Sequence, residues 1–472
     1  MRGLALRAAK ALRLPLLALA TVAVGYLAWM GLDGSISGFE KQRLPGLPEG
    51  SLGERILVVS PHPDDETLAA GGLIRQSLLR HRRVLVVVVT CGDGFRRIAG
   101  AYRTASGTVP PYLRLGEVRA AESREAMRRL GLPGEDLVFL GYPDGSMAKL
   151  WSADWGGSAT KGTNGRESVP YPFAYRPGAP YRGSSVAADL TSIVASFAPT
   201  AVVFPDAEDS NSDHWAVDAF VQDVLGRARF RGARYTYLVH RGHFPFPWAD
   251  LPEAWLEPPR KLLHLGIEWL SYPLTRQTEQ EKDRAVDAYR SQQRAMEPFL
   301  ASFVRRNELF ARPSAPVAAV TGTRASLDAS AMPGVIVSDP SADTLLRTVD
   351  AGADLRRVAL VREPGAIWLG LEANAALAPG ITYRLSARLL REDGSTARLD
   401  LEIRGRKVRA LLVGRDSLDP HGDVESHAKG ARTWIRIPAS LFEGVSTAML
   451  SAESYQGGML LDRTAVRSVL LR

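Results

Sequence analysis

The segment His62-Pro63-Asp64-Asp65-Glu66-Thr67 holds most of the side chains in this chain that could do chemistry. A histidine nitrogen and a carboxylate oxygen are both ligands that a zinc-like metal accepts, and a second carboxylate is left over as a base. The alternative is a polar turn in which an Asp or Thr side chain caps the following helix. Three acids and a histidine within five residues, directly after an apolar stretch, favour the metal-binding interpretation.

A strand and a helix must hold this segment in position. Arg55–Ser60 has the pattern of a buried strand, and the residues from 68 to 79 have the pattern of a helix. Further strands are predicted at 84–90, 137–140, 201–204 and 235–239, and helices near 67–80, 116–130, 184–197 and 214–227. The strand at 84–89 is apolar throughout, which indicates burial on both faces. We therefore predict a Rossmann-like, mostly parallel α/β sheet with helices on both faces.

One histidine and one aspartate cannot complete a zinc site, so a third ligand must come from elsewhere. The predicted strand 201–204 leads into an acidic loop that ends in Asp213-His214, where the next helix begins. Loops at the carboxyl ends of parallel strands lie at one sheet edge, where ligands bind. His214 can therefore face His62 and Asp65, although a lone histidine here would more often just begin a helix.

Four motifs in this order resemble the PIG-L/LmbE-like family of zinc-dependent N-acetylglucosamine N-deacetylases, over about residues 53–312. They are Pro61–Glu66, Leu115–Glu122, Leu140–Gly145 and Asp213-His214. The G-x-G-x-x-G fingerprint of dinucleotide-binding folds is missing after the first strand. The resemblance implies a hydrolase that removes acetyl groups from amino sugars.

The resemblance also implies roles for individual residues. It implies one Zn²⁺ held by His62, Asp65 and His214, with Asp64 as the general base. It further implies a sugar site lined by Arg119 and Asp144. The alternatives for these last two are an exposed helix charge and a turn aspartate.

One position departs from the family pattern. Asn211 stands where the family commonly has a histidine that polarises the oxyanion or protonates the amine. An amide can donate a hydrogen bond but cannot act as a general acid at neutral pH. His240 and His243, after the predicted strand 235–239, are the two candidates for the missing acid. Either one could instead be an ordinary loop or buried histidine, and without an acid the enzyme would be slow or inactive.

The bulk composition excludes several classes of protein. The net charge is +8 and the basic residues are spread along the chain, so we predict no nucleic-acid partner. Cys91 is the only cysteine, which excludes an intrachain disulfide and a multi-cysteine zinc site.

The N-terminus suggests a membrane anchor. Basic residues within 1–13 precede an uncharged run over 14–32, which is long enough to cross most of a bilayer as a helix. The charge distribution predicts a single-pass protein with residues 1–13 in the cytoplasm and the catalytic domain outside it. The alternative is a cleaved signal peptide, with Ala18-Leu19-Ala20 near the cleavage site.

The remaining chain divides by composition. Residues 33–52 are predicted to be a linker, 53–312 the deacetylase domain and 313–334 a second linker. Short strand patterns over 335–472 predict an all-β sandwich, which would suit carbohydrate binding.

These observations predict a membrane-anchored zinc N-deacetylase for a glycan, glycolipid or polysaccharide. Two alternatives stay open: a weak or inactive glycan-binding protein on the same fold, and a zinc amidase for a different amide.

Overall fold

The computed structural model describes most of the chain. The described residues are 20–25, 28, 44–102, 110–153, 155–313, 317–341, 350–405, 407–413 and 425–471.

A seven-stranded sheet forms the first layer of the fold. Its strands are β1 (Arg55–Ser60), β2 (Arg83–Thr90), β3 (Leu137–Tyr142), β4 (Ala201–Pro205), β5 (Ala233–Tyr237), β6 (Glu268–Pro273) and β7 (Asn307–Arg312). They lie in the order β3-β2-β1-β4-β5-β7-β6. The first five are parallel, whereas β7 is antiparallel to both β5 and β6. The residues from 84 to 90 in β2 are all buried, as their apolar pattern predicts.

Eight helices accompany this sheet in the described residues. They are α1 (Asp65–Leu79), α2 (Arg96–Ala99), α3 (Pro111–Leu130), α4 (Met147–Ser152), α5 (Gly183–Phe197), α6 (Ser212–Arg227), α7 (Arg276–Val286) and α8 (Arg290–Ala301). The chain runs outward from β1 to β3 and then crosses back to β4, which pairs with β1. Right-handed crossovers therefore place α1 and α3 on one face of the sheet and α5 and α6 on the other. The carboxyl ends of β1 and β4 form the topological switch point, where open α/β sheets bind ligands.

Helix α1 is fixed to its neighbours by a buried ion pair. Lys282 Nζ lies 2.8 Å from Glu308 Oε1, and neither side chain is exposed. Glu308 also accepts the backbone N–H groups of Gly72 and Leu73, while Lys282 donates to the Leu68 carbonyl. The charged pair thus satisfies backbone groups in the middle of α1, the helix that begins at Asp65.

In the described residues, the C-terminal part of the chain is built mainly from strands. One sheet contains β9 (Val320–Thr321), β10 (Val335–Ser338), β11 (Leu355–Glu363), β12 (Ala366–Ala373), β16 (Ser426–Lys429) and β17 (Arg432–Pro438). The other contains β8 (Val317–Ala318), β13 (Thr382–Arg391), β14 (Thr396–Arg404), β15 (Lys407–Val413), β18 (Val445–Gln456), β19 (Met459–Arg463) and β20 (Arg467–Leu470). Leu360 and Leu369 of the first sheet share one buried core with Leu385 and Leu450 of the second. The prediction of an α/β sheet followed by an all-β region is confirmed, and the two β-sheets form a sandwich.

The sandwich packs tightly against the α/β layer. Met449 and Val466 of the sandwich belong to the apolar core of the α/β sheet, whereas Ala207 belongs to the core of the sandwich. The buried guanidinium of Arg388 lies 4.1 Å from the ring centroid of Trp151 and 3.9 Å from that of Trp155. The two units therefore share an apolar and cation–π interface.

Both predicted linkers contain residues that pair with the sheets. Leu47 N–H donates to the Ser271 carbonyl in β6, and β8 and β9 fall inside the predicted linker 313–334. The domain boundaries themselves stay a prediction.

The predicted membrane anchor is corrected by the structure. Of residues 14–32, only 20–25 and 28 are described, and the rest of the anchor lies outside the described residues. Within the described part of the chain, no helix has both the length and the apolar character needed to cross a bilayer. Such a span takes about 20 consecutive apolar residues. The prediction of a single-pass membrane protein with an extracytoplasmic catalytic domain is therefore wrong, and the described part of the chain gives no support for the membrane as partner.

Candidate active site

Three side chains from two loops converge at the switch point between β1 and β4. His62 and Asp65 follow β1, and His214 lies in the first turn of α6 after β4. His62 Nδ1 lies 3.2 Å from Asp65 Oδ2 and 3.3 Å from His214 Nε2, and the latter two atoms are 3.1 Å apart. All three residues are buried. The structure thus brings together the three residues predicted as metal ligands.

The geometry of this triangle fits a zinc ion. Zinc bound at 2.0–2.1 Å in a tetrahedron would hold its ligand atoms about 3.3 Å apart. Two imidazole nitrogens and one carboxylate oxygen form a common donor set for catalytic zinc, and they leave one position for another ligand.

Each histidine is also backed by carboxylates on its far side. His214 Nδ1 lies 3.1 Å from Asp209 Oδ2, and His62 Nε2 lies 3.2 Å from both Asp144 Oδ1 and Asp213 Oδ2. Carboxylates in this position fix the tautomer and orientation of metal-ligating histidines.

The carboxylates around the triangle favour a bound cation. Burial alone would lower the pKa of His214, but Asp209 and Asp65 outweigh it and raise that pKa to about 10. Burial would likewise raise the pKa of Asp65, yet the two histidines hold it well below its ordinary range. The acids around the two histidines therefore make the triangle electrostatically favourable for a cation.

Asp64 lies beside the triangle but is not part of it. Its backbone φ of 127° is unusual for a residue with a side chain, and such strain tends to occur at functional sites. Arg119 Nη2 donates to Asp64 Oδ2 over 3.1 Å and to the Pro63 carbonyl over 2.8 Å, and Nη1 donates to Gly92. Burial raises the pKa of Asp64 to about 7, although Arg119 opposes the rise. A carboxylate with such a pKa is suited to exchanging protons near neutrality.

Glu66 is the remaining acid of the motif, and its contacts are structural. Its carboxylate accepts hydrogen bonds from Ser123, Tyr289 and Ser60, and it also accepts the Asp64 backbone N–H. Glu66 is fully buried and thus helps to hold the turn that presents Asp64 and Asp65.

A cleft of about 250 Å³ opens onto the triangle. The residues that line it are His62, Asp64, Asp65, Leu68, Gly94, Phe95, Arg119, Asp144, Asn211, His240, Gln292, Met296 and Phe299. The two predicted sugar-site residues therefore line the cleft, and its lining also includes apolar side chains.

The candidates for the missing acid occupy different places. The His240 ring lies 4.8 Å from the His214 ring and stacks on Phe299, and it lines the cleft. His243 packs 6.0 Å from Trp248 and is not among the described residues that line the cleft. Burial is the main reason why the pKa of His240 is lowered to about 4, and the neighbouring His214 adds to this effect. Asn211 caps α6, since its side-chain oxygen accepts the Asp213 N–H over 2.9 Å.

Comparisons with known proteins identify the segment that carries these residues. Residues 57–225 match the family model described as "PIG-L: GlcNAc-PI de-N-acetylase". Residues 57–225 form a PIG-L domain. This confirms the family resemblance of the motifs.

Curated relatives of the PIG-L domain carry a deacetylase name. A protein of Mycobacterium sp. (strain KMS) named 1D-myo-inositol 2-acetamido-2-deoxy-alpha-D-glucopyranoside deacetylase is 30% identical over 209 residues. That alignment covers 43% of this chain and 61% of the relative. The chain thus spans about three fifths of the length of the curated relatives it matches first.

Two solved structures are also similar to this chain. The A40926 pseudoaglycone deacetylase Dbv21 shares 17% identity, with a TM-score of 0.36, over 55% of this chain and 96% of that one. The N,N'-diacetylchitobiose deacetylase from Pyrococcus horikoshii shares 19% identity, with a TM-score of 0.34, over 54% of this chain and 82% of that one.

Sequence reasoning missed that Asp144, Asp209 and Asp213 contact the outer ring nitrogens of the two histidines. Asp209 and Asp213 both lie in the acidic loop that leads to His214, but the loop holds two more acids, Asp206 and Glu208. Their spacing in the sequence does not indicate which acid faces a ring nitrogen. The apolar lining residues Met296 and Phe299 come from α8, for which the sequence offers no signal beyond a helix pattern.

Proposed function

We propose that this chain is a zinc-dependent hydrolase that removes the N-acetyl group from an amino sugar. The observation that carries the proposal is the triangle of His62, Asp65 and His214, with the buried carboxylate of Asp64 beside it. The PIG-L domain supports the reaction class, and the names of the curated relatives support an N-acetylated sugar as substrate.

His62, Asp65 and His214 would hold the metal. When bound, zinc supplies Lewis-acid chemistry, because it polarises a carbonyl oxygen and makes a water molecule more acidic. Asp209 and Asp213 keep the two histidines oriented through their outer ring nitrogens.

Asp64 takes the proton from the attacking water in this proposal. Arg119 fixes the position of the Asp64 carboxylate through the hydrogen bond to Oδ2. In the metal-free site, burial raises the pKa of Asp64 to about 7. In this proposal, Asp64 afterwards returns that proton to the leaving amine. One residue can then serve as base and afterwards as acid, which lessens the need for a separate donor.

Asn211 and His240 complete the proposed machinery. The Asn211 side-chain oxygen is engaged by the helix cap, so its NH₂ group is held in a fixed direction and can donate to the oxyanion. His240 stays neutral near pH 7 because its pKa is lowered, and a neutral imidazole can still donate one hydrogen bond in the cleft. Arg119 and Asp144 remain the proposed residues at the sugar.

Acetate release tests the proposal directly. The purified full-length chain is incubated with N-acetylglucosamine, with N-acetylglucosamine glycosides and oligosaccharides, and with simple acetamides. We expect acetate from the sugars only. Acetate from the simple amides alone would favour an amidase for another substrate, and tight sugar binding without acetate would favour an inactive glycan-binding protein.

A further inference from the structure

We infer that the β-sandwich supports the metal site. In this inference, Arg463 and Arg467 act as positioning residues for the loop 206–209, which contacts His214 through Asp209. This inference rests on the proposed function, because it assigns the two arginines a role in metal affinity. The C-terminal strands would then contribute to the site of the PIG-L domain, although the family match ends at residue 225.

Arg463, at the end of β19, contacts the backbone of the loop. Its Nη2 group lies 3.2 Å from the carbonyl oxygens of both Ala207 and Asp209 and donates to them. Its guanidinium also lies 4.6 Å from the ring centroid of Trp215, the residue that follows His214. One sandwich side chain therefore holds both the loop and the start of α6.

Arg467, at the start of β20, neutralises a buried acid of the same loop. Its Nη2 group lies 2.9 Å from Glu208 Oε1, and the Glu208 side chain is only 2% exposed. Ala207, next to Glu208, packs in the core of the sandwich. The outward side of the loop is thus covered by the sandwich, through one apolar contact and two arginines.

The inward side of the same loop faces the metal site. Asp209 Oδ2 lies 3.1 Å from His214 Nδ1, and it also accepts the backbone N–H groups of Val239 and His240. One of the two carbonyls to which Arg463 donates belongs to Asp209 itself. A shift of this loop therefore moves the carboxylate that orients His214. Loss of such outer partners commonly weakens metal binding by about 10- to 100-fold.

Metal affinity of the full-length chain tests the inference without an activity measurement. Arg463→Met and Arg467→Met are compared with the unsubstituted protein by zinc competition against a chromophoric chelator. The absorption spectrum of bound Co²⁺ reports the ligand geometry. We expect each substitution to weaken zinc binding about 10- to 100-fold and to alter the Co²⁺ spectrum. Arg463→Lys retains a charged donor and should recover part of the affinity.

Arg432→Met is the matched control. Arg432 also donates to two loop carbonyls, those of Ala329 and Ser330, and pairs with Glu372, but it lies in the other β-sheet. It should leave zinc affinity within about twofold of the unsubstituted protein.

A double variant separates positioning from simple misfolding. In Arg467→Met with Glu208→Leu, the loop no longer contains a lone buried charge, so the fold and much of the zinc affinity should return. If Arg467→Met does not fold, Arg463→Met and Arg463→Lys carry the comparison, and unchanged zinc affinity in Arg463→Met then overturns the inference. Unchanged zinc affinity in both Arg463→Met and Arg467→Met would overturn the inference alone. Absence of zinc binding by the unsubstituted chain would instead overturn the proposed function, and the inference with it.

Discussion

Asp64→Asn should abolish most of the activity and, in the metal-stripped protein, raise stability. Asparagine keeps an oxygen for the hydrogen bond from Arg119 but cannot accept a proton from water. Loss of a general base costs about 10²- to 10⁴-fold in rate, or about 3–5 kcal/mol in the transition state. Asp64 lies outside the ligand triangle, so zinc content should not change.

The effect on stability follows from the raised pKa. Burial raises the pKa of Asp64 from its ordinary 3.8 to about 7, so the folded state binds this proton more tightly than the unfolded chain does. The stability that this group contributes is complete below pH 4 and is lost as the pH rises towards 7. At about 1.4 kcal/mol for each pH unit, the ionised carboxylate destabilises the fold by up to about 4 kcal/mol above pH 7. Asparagine avoids this cost.

Acetate release, zinc analysis and thermal unfolding of metal-stripped protein at pH 5 and pH 8 measure these effects. We expect the stability gain of Asp64→Asn to be larger at pH 8 than at pH 5. An active Asp64→Asn variant would refute the assigned base, and a variant less stable than the unsubstituted protein at pH 8 would refute the electrostatic argument.

Three further predictions concern neighbouring residues. Lys282→Met leaves the buried Glu308 charge unpaired and should lower the free energy of unfolding by about 3–5 kcal/mol in chemical denaturation; an unchanged midpoint would contradict this. Asn211→Asp keeps the cap of α6 but removes the NH₂ donor, so kcat should fall about 10²- to 10³-fold with little change in thermal unfolding. His240→Gln should lower kcat more than His243→Gln, because only His240 lines the described cleft; the reverse order would move the role to His243.

The location of the site could be predicted from the sequence, because a parallel sheet collects the loops after its strands at one edge. This rule relates the loop after β1 to the loop after β4, although about 150 residues separate His62 from His214. The sequence does not show which carboxylate contacts the outer ring nitrogen of each histidine. Asp209 is one of several acids in its loop, and the direction of its side chain depends on Val239 and His240 in a different loop.

Contacts between residues that are far apart in the chain could not be predicted from the sequence either. Arg463 and Arg467 contact a loop more than 250 residues earlier in the chain, and no local pattern marks them among many other arginines. The prediction of a membrane helix at the N-terminus rested on charge and apolar composition alone. Composition does not show which helices form, and the described residues contain no helix long and apolar enough to cross a membrane.

The central claim is that His62, Asp65 and His214 hold the zinc ion on which acetate release depends. The most direct test is titration of the metal-stripped chain with Zn²⁺ while acetate release from an N-acetylglucosamine substrate is recorded. We predict that activity rises from near zero and saturates at one zinc per chain, and that Asp65→Ala and His214→Ala lose both zinc and activity. Full activity in the metal-stripped chain, or unchanged zinc binding in both variants, would contradict the account.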